Sequence, residues 1–221
     1  PTLAVLANAA GLATDLRGEH TPPVMKFVPR ESGASGSEQF TVEFLLPLTG
    51  HPTERSGKLI VTRAIQPGVT AQCLRYLDLL LVDSWPVPLT ALPRIPDDCK
   101  DALVRLPHPG LFVVQKILIA KDREGERAKD MAYIYQVLSL FSRDIPQLAQ
   151  EVRARMEAIP TWRKWLERFS REGGELFSSP GAEGVTDAYR ILRAEMAGLG
   201  GVDIPTPPMI YAGVHAFLGH F

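Results

Sequence analysis

Cysteine is nearly absent from this chain. Of 221 residues only Cys73 and Cys99 carry thiols, too few for a disulfide scaffold or a thiolate metal cluster. A reducing cytoplasm suits them best. The five histidines, His20, His51, His108, His215 and His220, are scattered and make no His/Cys cluster of zinc type. No apolar run approaches the ~20 residues of a membrane helix, and no signal-peptide pattern opens the chain. An excess of either charge is lacking too. The formal net charge is −1, so no global field draws nucleic acid or an anionic membrane. There is no Gly-rich phosphate loop of the P-loop or dinucleotide kind. Neither Ser nor Cys lies in a nucleophile elbow, which argues against triad hydrolysis. Internal repeats and long low-complexity segments are missing as well. The chain opens on Pro1 rather than Met, so it is expected to be a fragment or a processed product.

What is present reads as strands followed by helices. Residues 3–13 form an Ala-rich pattern that closes at Gly11, a helix signal. Val24 to Val28 and Phe40 to Leu46 read as strands, and the Ser32–Ser37 segment between them as a turn, so the three suggest a hairpin. In the second strand Phe40, Val42 and Phe44 alternate with Thr41, Glu43 and Leu45. Lys58 to Ala64 is a further strand. Leu74 to Asp83 fits a helical turn leading into a buried strand. Four prolines make Trp85 to Pro96 extended or turning, and Ala102 to Leu106 is a strand.

From Pro107 the pattern becomes helical. Leu111 to Ala120 is a buried helix with Pro109 just before it. Arg127 to Phe141 is amphipathic, with Met131, Ile134, Tyr135, Leu138 and Phe141 in helical spacing. Asp144 caps a helix that breaks at Pro160. Thr161 caps another, ended by Gly173-Gly174, and Thr186 a last one to about Ala197. The tail from Pro205 to Phe221 reads as irregular, but it is apolar enough to pack back on the body. This order argues for an α+β fold, with a mixed or antiparallel sheet in 1–106 and a helical bundle in 107–221.

Lys116 stands out, because it lies in an almost wholly apolar helix. An ammonium buried there calls for an anionic partner, either a carboxylate of the protein or a phosphate of a ligand. The plainer reading has it lying along the apolar surface with its tip in water. Glu43 sits mid-strand between apolar neighbours. It is either solvent-facing on a one-sided sheet or a rigidly held carboxylate suited to magnesium or to proton abstraction. Lys121 to Arg127 is a charge run of the solvated-loop kind. Beyond it, Asp130 meets the positive end of a helix dipole and is placed to pair with Lys116 or orient it. Trp162, Trp165 and Phe169 make a stripe more typical of a core than of base stacking.

Four segments in order carry a resemblance. They are Phe40-Thr41-Val42-Glu43-Phe44-Leu45-Leu46-Pro47-Leu48, then Leu74 to Asp83, then Val104 to Lys116 with its Pro107-His108-Pro109-Gly110 turn, then Arg127-Ala128-Lys129-Asp130. Over roughly residues 3–155 the chain resembles the second half of bacterial proteins of nucleotidyltransferase fold. These are related to the AbiEii-type abortive-infection toxins and, more remotely, to the DNA polymerase beta superfamily. The resemblance implies a nucleotidyltransferase-like α+β fold. It also implies metal-dependent transfer of a nucleoside monophosphate from a nucleoside triphosphate to an acceptor, whether protein, RNA or small molecule. Mg2+ is the implied cofactor, Glu43 a metal ligand or base, and Lys116, Lys129 and Asp130 contacts at the nucleotide phosphates. The family's Gly-Ser turn and Asp-x-Asp pair are expected before residue 1. Gly36-Ser37 is followed by Glu43 alone, so this stretch by itself is expected to be inactive. The alternative is a non-catalytic module of the same fold that holds a nucleotide or a partner, of toxin–antitoxin kind. A third reading makes residues 144–221 a helical interaction domain.

Overall fold

Short alternating runs separated by glycine and polar turns favour small sheets, and long 3.6-period runs favour a helical body. The computed structural model describes residues 2–17, 23–30, 41–51, 53, 57, 60–91, 102–123, 125–197 and 203–221. It is a mixed α+β protein, with small antiparallel and mixed sheets followed by a helical region. The chain separates into two compact units between Asp78 and Leu79, earlier than the change from strands to helices near residue 107.

The first unit begins with α1 (Leu3–Ala9), whose N-terminus is closed by the Thr2 hydroxyl accepting from the Val5 N–H at 3.4 Å. Gly11 then takes a positive φ of 76°, which a glycine adopts without a side-chain penalty. The reversal closes the helix at the glycine, as its pattern suggested, and starts β1 (Leu12–Arg17). β1 pairs antiparallel with β2 (Val24–Pro29), and β2 with β3 (Val42–Glu43). The expected pairing of 24–28 with the following strand is therefore present, while the Ser/Gly turn at 32–37 lies outside the described residues.

That following strand is divided. β3 stops at Glu43, and β4 (Leu45–Pro47) runs parallel to β6 (Val69–Leu74) in a second sheet of order β4-β6-β5. Here β5 (Thr62–Gln66) replaces the strand expected over 58–64, of which residues 58 and 59 are outside the described set. Phe27 is buried, with its ring edge-on to Phe44 at 5.7 Å. Val69, Ala71 and Cys73 are buried beside it along β6. The expected order over 74–83 is reversed. The strand comes first and ends at Leu74, Tyr76 turns with φ 58°, and the leucines form α2 (Asp78–Leu81). Leucine is a strong helix former, and the β-pattern belongs to the preceding Val-Thr-Ala-Gln-Cys.

In the second unit β7 (Trp85–Pro88) pairs antiparallel with β8 (Leu103–Leu106). The helices are α3 (Pro109–Ile119), α4 (Arg127–Leu140), α5 (Ile145–Ala158), α6 (Arg163–Leu176), α7 (Glu183–Met196) and α8 (Pro207–Leu218). α3 is the central rod, with Leu111, Val113, Val114, Ile117 and Leu118 fully buried against α4, α5 and α6. Three sequence expectations are corrected here. Thr161 lies in a 3-10 turn and α6 starts at Arg163. α6 also runs through Gly173-Gly174 to Leu176. Gly173 is a close-approach position, where a Cβ would come within 2.8 Å of Leu218, so it admits α8 instead of ending α6. Thr186 is inside α7, its hydroxyl donating to the Ala182 carbonyl, and Ala182 is the cap. The tail does pack back, but as helix α8. Pro207 stands at its start and Ile210, Val214 and Phe217 are buried on one stripe. Among the described residues no helix is long and apolar enough to cross a membrane.

Candidate functional site

α3 starts sharply because His108 caps it and Pro109 presets its first turn. Its apolar sequence then drives it into the core and carries Lys116 with it. The Lys116 ammonium reaches Asp130 Oδ1 at 2.7 Å, with the lysine 13% and the aspartate 4% exposed. Asp130 sits in the first turn of α4, where the helix dipole favours a carboxylate. Its other oxygen accepts from Arg123 Nη1 at 3.3 Å. The Lys116 ammonium also lies 5.3 Å from the centre of the Phe112 ring. Two cations thus share one buried carboxylate, leaving the cluster with an excess positive charge.

Lys129, the neighbour of Asp130, is exposed and approaches the same Tyr133 ring as Lys116, whose ammonium lies 6.0 Å from the ring centre. The Lys129 ammonium lies 5.7 Å from the centre of the Tyr133 ring. Hydrogen bonding to Tyr133 raises its pKa above the ordinary lysine value. Glu43 lies in the first unit. On β3 it faces Lys26 of β2, with Nζ to Oε1 at 2.6 Å, a cross-strand ion pair.

Magnesium needs several oxygen ligands converging on one point. Among the described residues no group of three His, Cys, Asp or Glu side chains could hold a metal ion. Glu43 is bonded to a lysine, and both oxygens of Asp130 already accept from cations. The described residues therefore do not fit the magnesium centre that the resemblance implies.

A second constellation escaped the sequence reading. His108 Nδ1 accepts from the Leu111 N–H at 3.3 Å, which places the ring proton on Nε2, and Nε2 meets Glu151 Oε2 at 3.0 Å. Gln147 donates to the other Glu151 oxygen at 2.8 Å. The His108 bond, then the Gln147 bond, pull the Glu151 carboxyl below its ordinary pKa. Arg155, one turn along α5, is ion-paired with Asp83. His108, Glu151, Arg155 and Asp83, with Ser84 and Trp85, line a cavity of about 600 Å³. The only hint in the sequence is a histidine immediately before Pro109-Gly110 at a helix start. Its partners come from segments 25 and 43 residues away.

No curated protein and no solved structure matches the chain significantly. A family model described as Nucleotidyltransferase matches residues 22–157, more than half of the chain and a span that holds Glu43, Lys116, Lys129 and Asp130, and the chain belongs to that family.

Proposed function

We propose that this protein transfers a nucleoside monophosphate from a nucleoside triphosphate to an acceptor, with Lys116 contacting the phosphates. Membership of the family supports general nucleotidyl transfer and a triphosphate substrate. The observation that carries the residue assignment is the shared carboxylate. Asp130 holds Lys116 and Arg123 at once, so one positive charge is left over on side chains that are 13% and 32% exposed. A phosphate oxygen complements such a site, and fixing the lysine beforehand lowers the entropy lost on binding. Asp130 orients Lys116, and the exposed Lys129 lies on the next residue to receive the same anion. The kinship with AbiEii-type toxins, the bacterial origin and a reducing cytoplasm belong to this reading. So does magnesium dependence, although the described residues do not supply the metal's ligands, so no chemical step is assigned through it. A metal-ligand or base role for Glu43 would require release of Lys26.

The test uses each of the four ribonucleoside triphosphates, α-labelled, with and without magnesium. Nucleotide binding and label transfer are read separately. Lys116→Met is expected to weaken triphosphate binding about tenfold or more, the scale of a charged hydrogen-bonding contact, while the far-ultraviolet ellipticity stays unchanged. Binding equal to wild type would refute the assignment of Lys116. A second reading is a non-catalytic nucleotide- or partner-binding module; it is favoured because, among the described residues, no group of three His, Cys, Asp or Glu side chains could hold a metal. Tight nucleotide binding with no transfer at any magnesium concentration would select it.

A further inference from the structure

The cavity beside His108 has a definite chemical character. Asp83 and Glu151 bring two carboxylates to it and Arg155 brings one guanidinium, while His108 accepts at Nδ1 and faces Glu151 with Nε2. The balance of the carboxylates against the guanidinium is one negative charge. Arg155 occupies only Oδ2 of Asp83, and the two oxygens of Glu151 each take one donor. Lone pairs on both acids therefore stay open. Asp83 has φ 52°, a left-handed conformation that costs energy in a non-glycine residue and recurs at binding sites.

Trp85 is the shared wall between this cavity and an apolar one of about 250 Å³, lined by Leu106, Pro107, Phe112, Val137 and Phe141. Its ring is wedged edge-on between His108 and Phe141, each centroid 5.6 Å away, yet it is still 37% exposed. A fixed, partly bare indole next to two carboxylates is a cation-binding arrangement. A phosphate would meet net repulsion there.

We propose that the two lobes form one binding site for an organic cation, an ammonium or guanidinium group carried on an apolar body. The charged end lies between Asp83 and Glu151 against Trp85, and the apolar body fills the lobe walled by Phe112 and Phe141. This is independent of nucleotidyl transfer, because none of the phosphate-contacting groups assigned above takes part. The combined volume is that of ordinary small-ligand sites. The depressed Glu151 carboxyl keeps the site anionic through the mildly acid range.

The same chemistry could come from a free amine or from a basic side chain beside an apolar one in a peptide. Calorimetry on the whole chain, with 2-phenylethylamine, 2-phenylethylguanidine, N-acetyl-Phe-Arg-amide and 3-phenylpropionate, separates the cases. At least one cation is expected to bind measurably, with 3-phenylpropionate much weaker. Preference for the free amines identifies a small-molecule site, and preference for the dipeptide a basic segment. Glu151→Gln and Asp83→Asn are each expected to weaken cation binding about two- to fivefold, the scale of one exposed ion pair. Trp85→Phe keeps the wall but weakens the cation contact. Thermal unfolding of each variant checks that it is folded. The proposal is overturned if no cation binds at millimolar concentration. It is also overturned if 3-phenylpropionate binds as tightly as the amine, or if both charge-removing variants bind as wild type does.

Discussion

Removing Asp130 should harm the protein more than removing Lys116, although the two form one ion pair. The reason is that the carboxylate is shared. At an effective dielectric constant of 20 the gross attractions at 2.7 and 3.3 Å are about 6 and 5 kcal/mol. Desolvation cancels much of both. Asp130→Asn strands the Lys116 ammonium, which is only 13% exposed, beside a neutral amide. Breaking a buried pair this way costs about 3–5 kcal/mol. Lys116→Met leaves Asp130 still paired with Arg123 and replaces a charged stem with an apolar one of similar length, costing about 1–3 kcal/mol. In Lys116→Met/Asp130→Leu neither buried charge remains. Arg123, 32% exposed, can turn to solvent, and the double variant should be more stable than Asp130→Asn alone. Urea unfolding followed by ellipticity, with equal slopes across the series, gives the comparison. If Lys116→Met costs as much as Asp130→Asn, or if the double variant is the least stable, the shared-carboxylate argument fails.

Gly184→Ala should destabilise the fold even though alanine is the better helix former by about 1 kcal/mol. A Cβ at Gly184 would stand 2.7 Å from the Leu176 carbonyl oxygen, a backbone atom that cannot rotate away, so the net loss should be about 1–3 kcal/mol in the same urea assay. A gain in stability would show that α7 is not held that close to the end of α6. The Glu151 carboxyl is depressed in the fold, chiefly by His108, so the unfolded chain binds its proton more readily. Its stabilising contribution is complete above the ordinary value of 4.5 and is lost as the pH falls through the lower, folded value. Glu151→Gln should therefore show a shallower loss of thermal midpoint between neutral pH and about pH 3 than wild type. Parallel acid limbs would mean that Glu151 has no such linkage.

The legible part of the fold was local. Helix spacing located α3 and α4, and the energetics of a buried ammonium required an anion near Lys116. Asp130, 14 residues on, supplies it. The illegible part depends on partners distant in sequence. Nothing between Phe40 and Leu46 marks the change of sheet after Glu43, because pairing is decided by β2 and β6. Gly173-Gly174 has the composition of a helix stop, and only Leu218 of α8 shows what approaches Gly173 instead. The cavity at His108 draws on α5 and the segment before β7, so no single window of sequence contains it. Glu43 was recognised as a carboxylate on a strand, but its lysine partner lies on the neighbouring strand at a register that the sequence does not state.

The strand interrupted at Phe44 has a consequence for how the first unit tolerates change. Val42 is in register with Phe27 on one side of the interruption and Leu45 with Gln72 on the other, while the Phe44 carbonyl accepts from the Gln72 N–H at 2.8 Å. One length of backbone is thus the common spine of two sheets. A residue inserted at this point leaves β3 in phase with β2 and puts β4 out of phase with β6, turning inward-facing side chains outward. Substitutions along Val42–Pro47 are local events, but an insertion or deletion there is a lesion in the wiring of the unit, and drifting loop lengths should stop short of it on both sides.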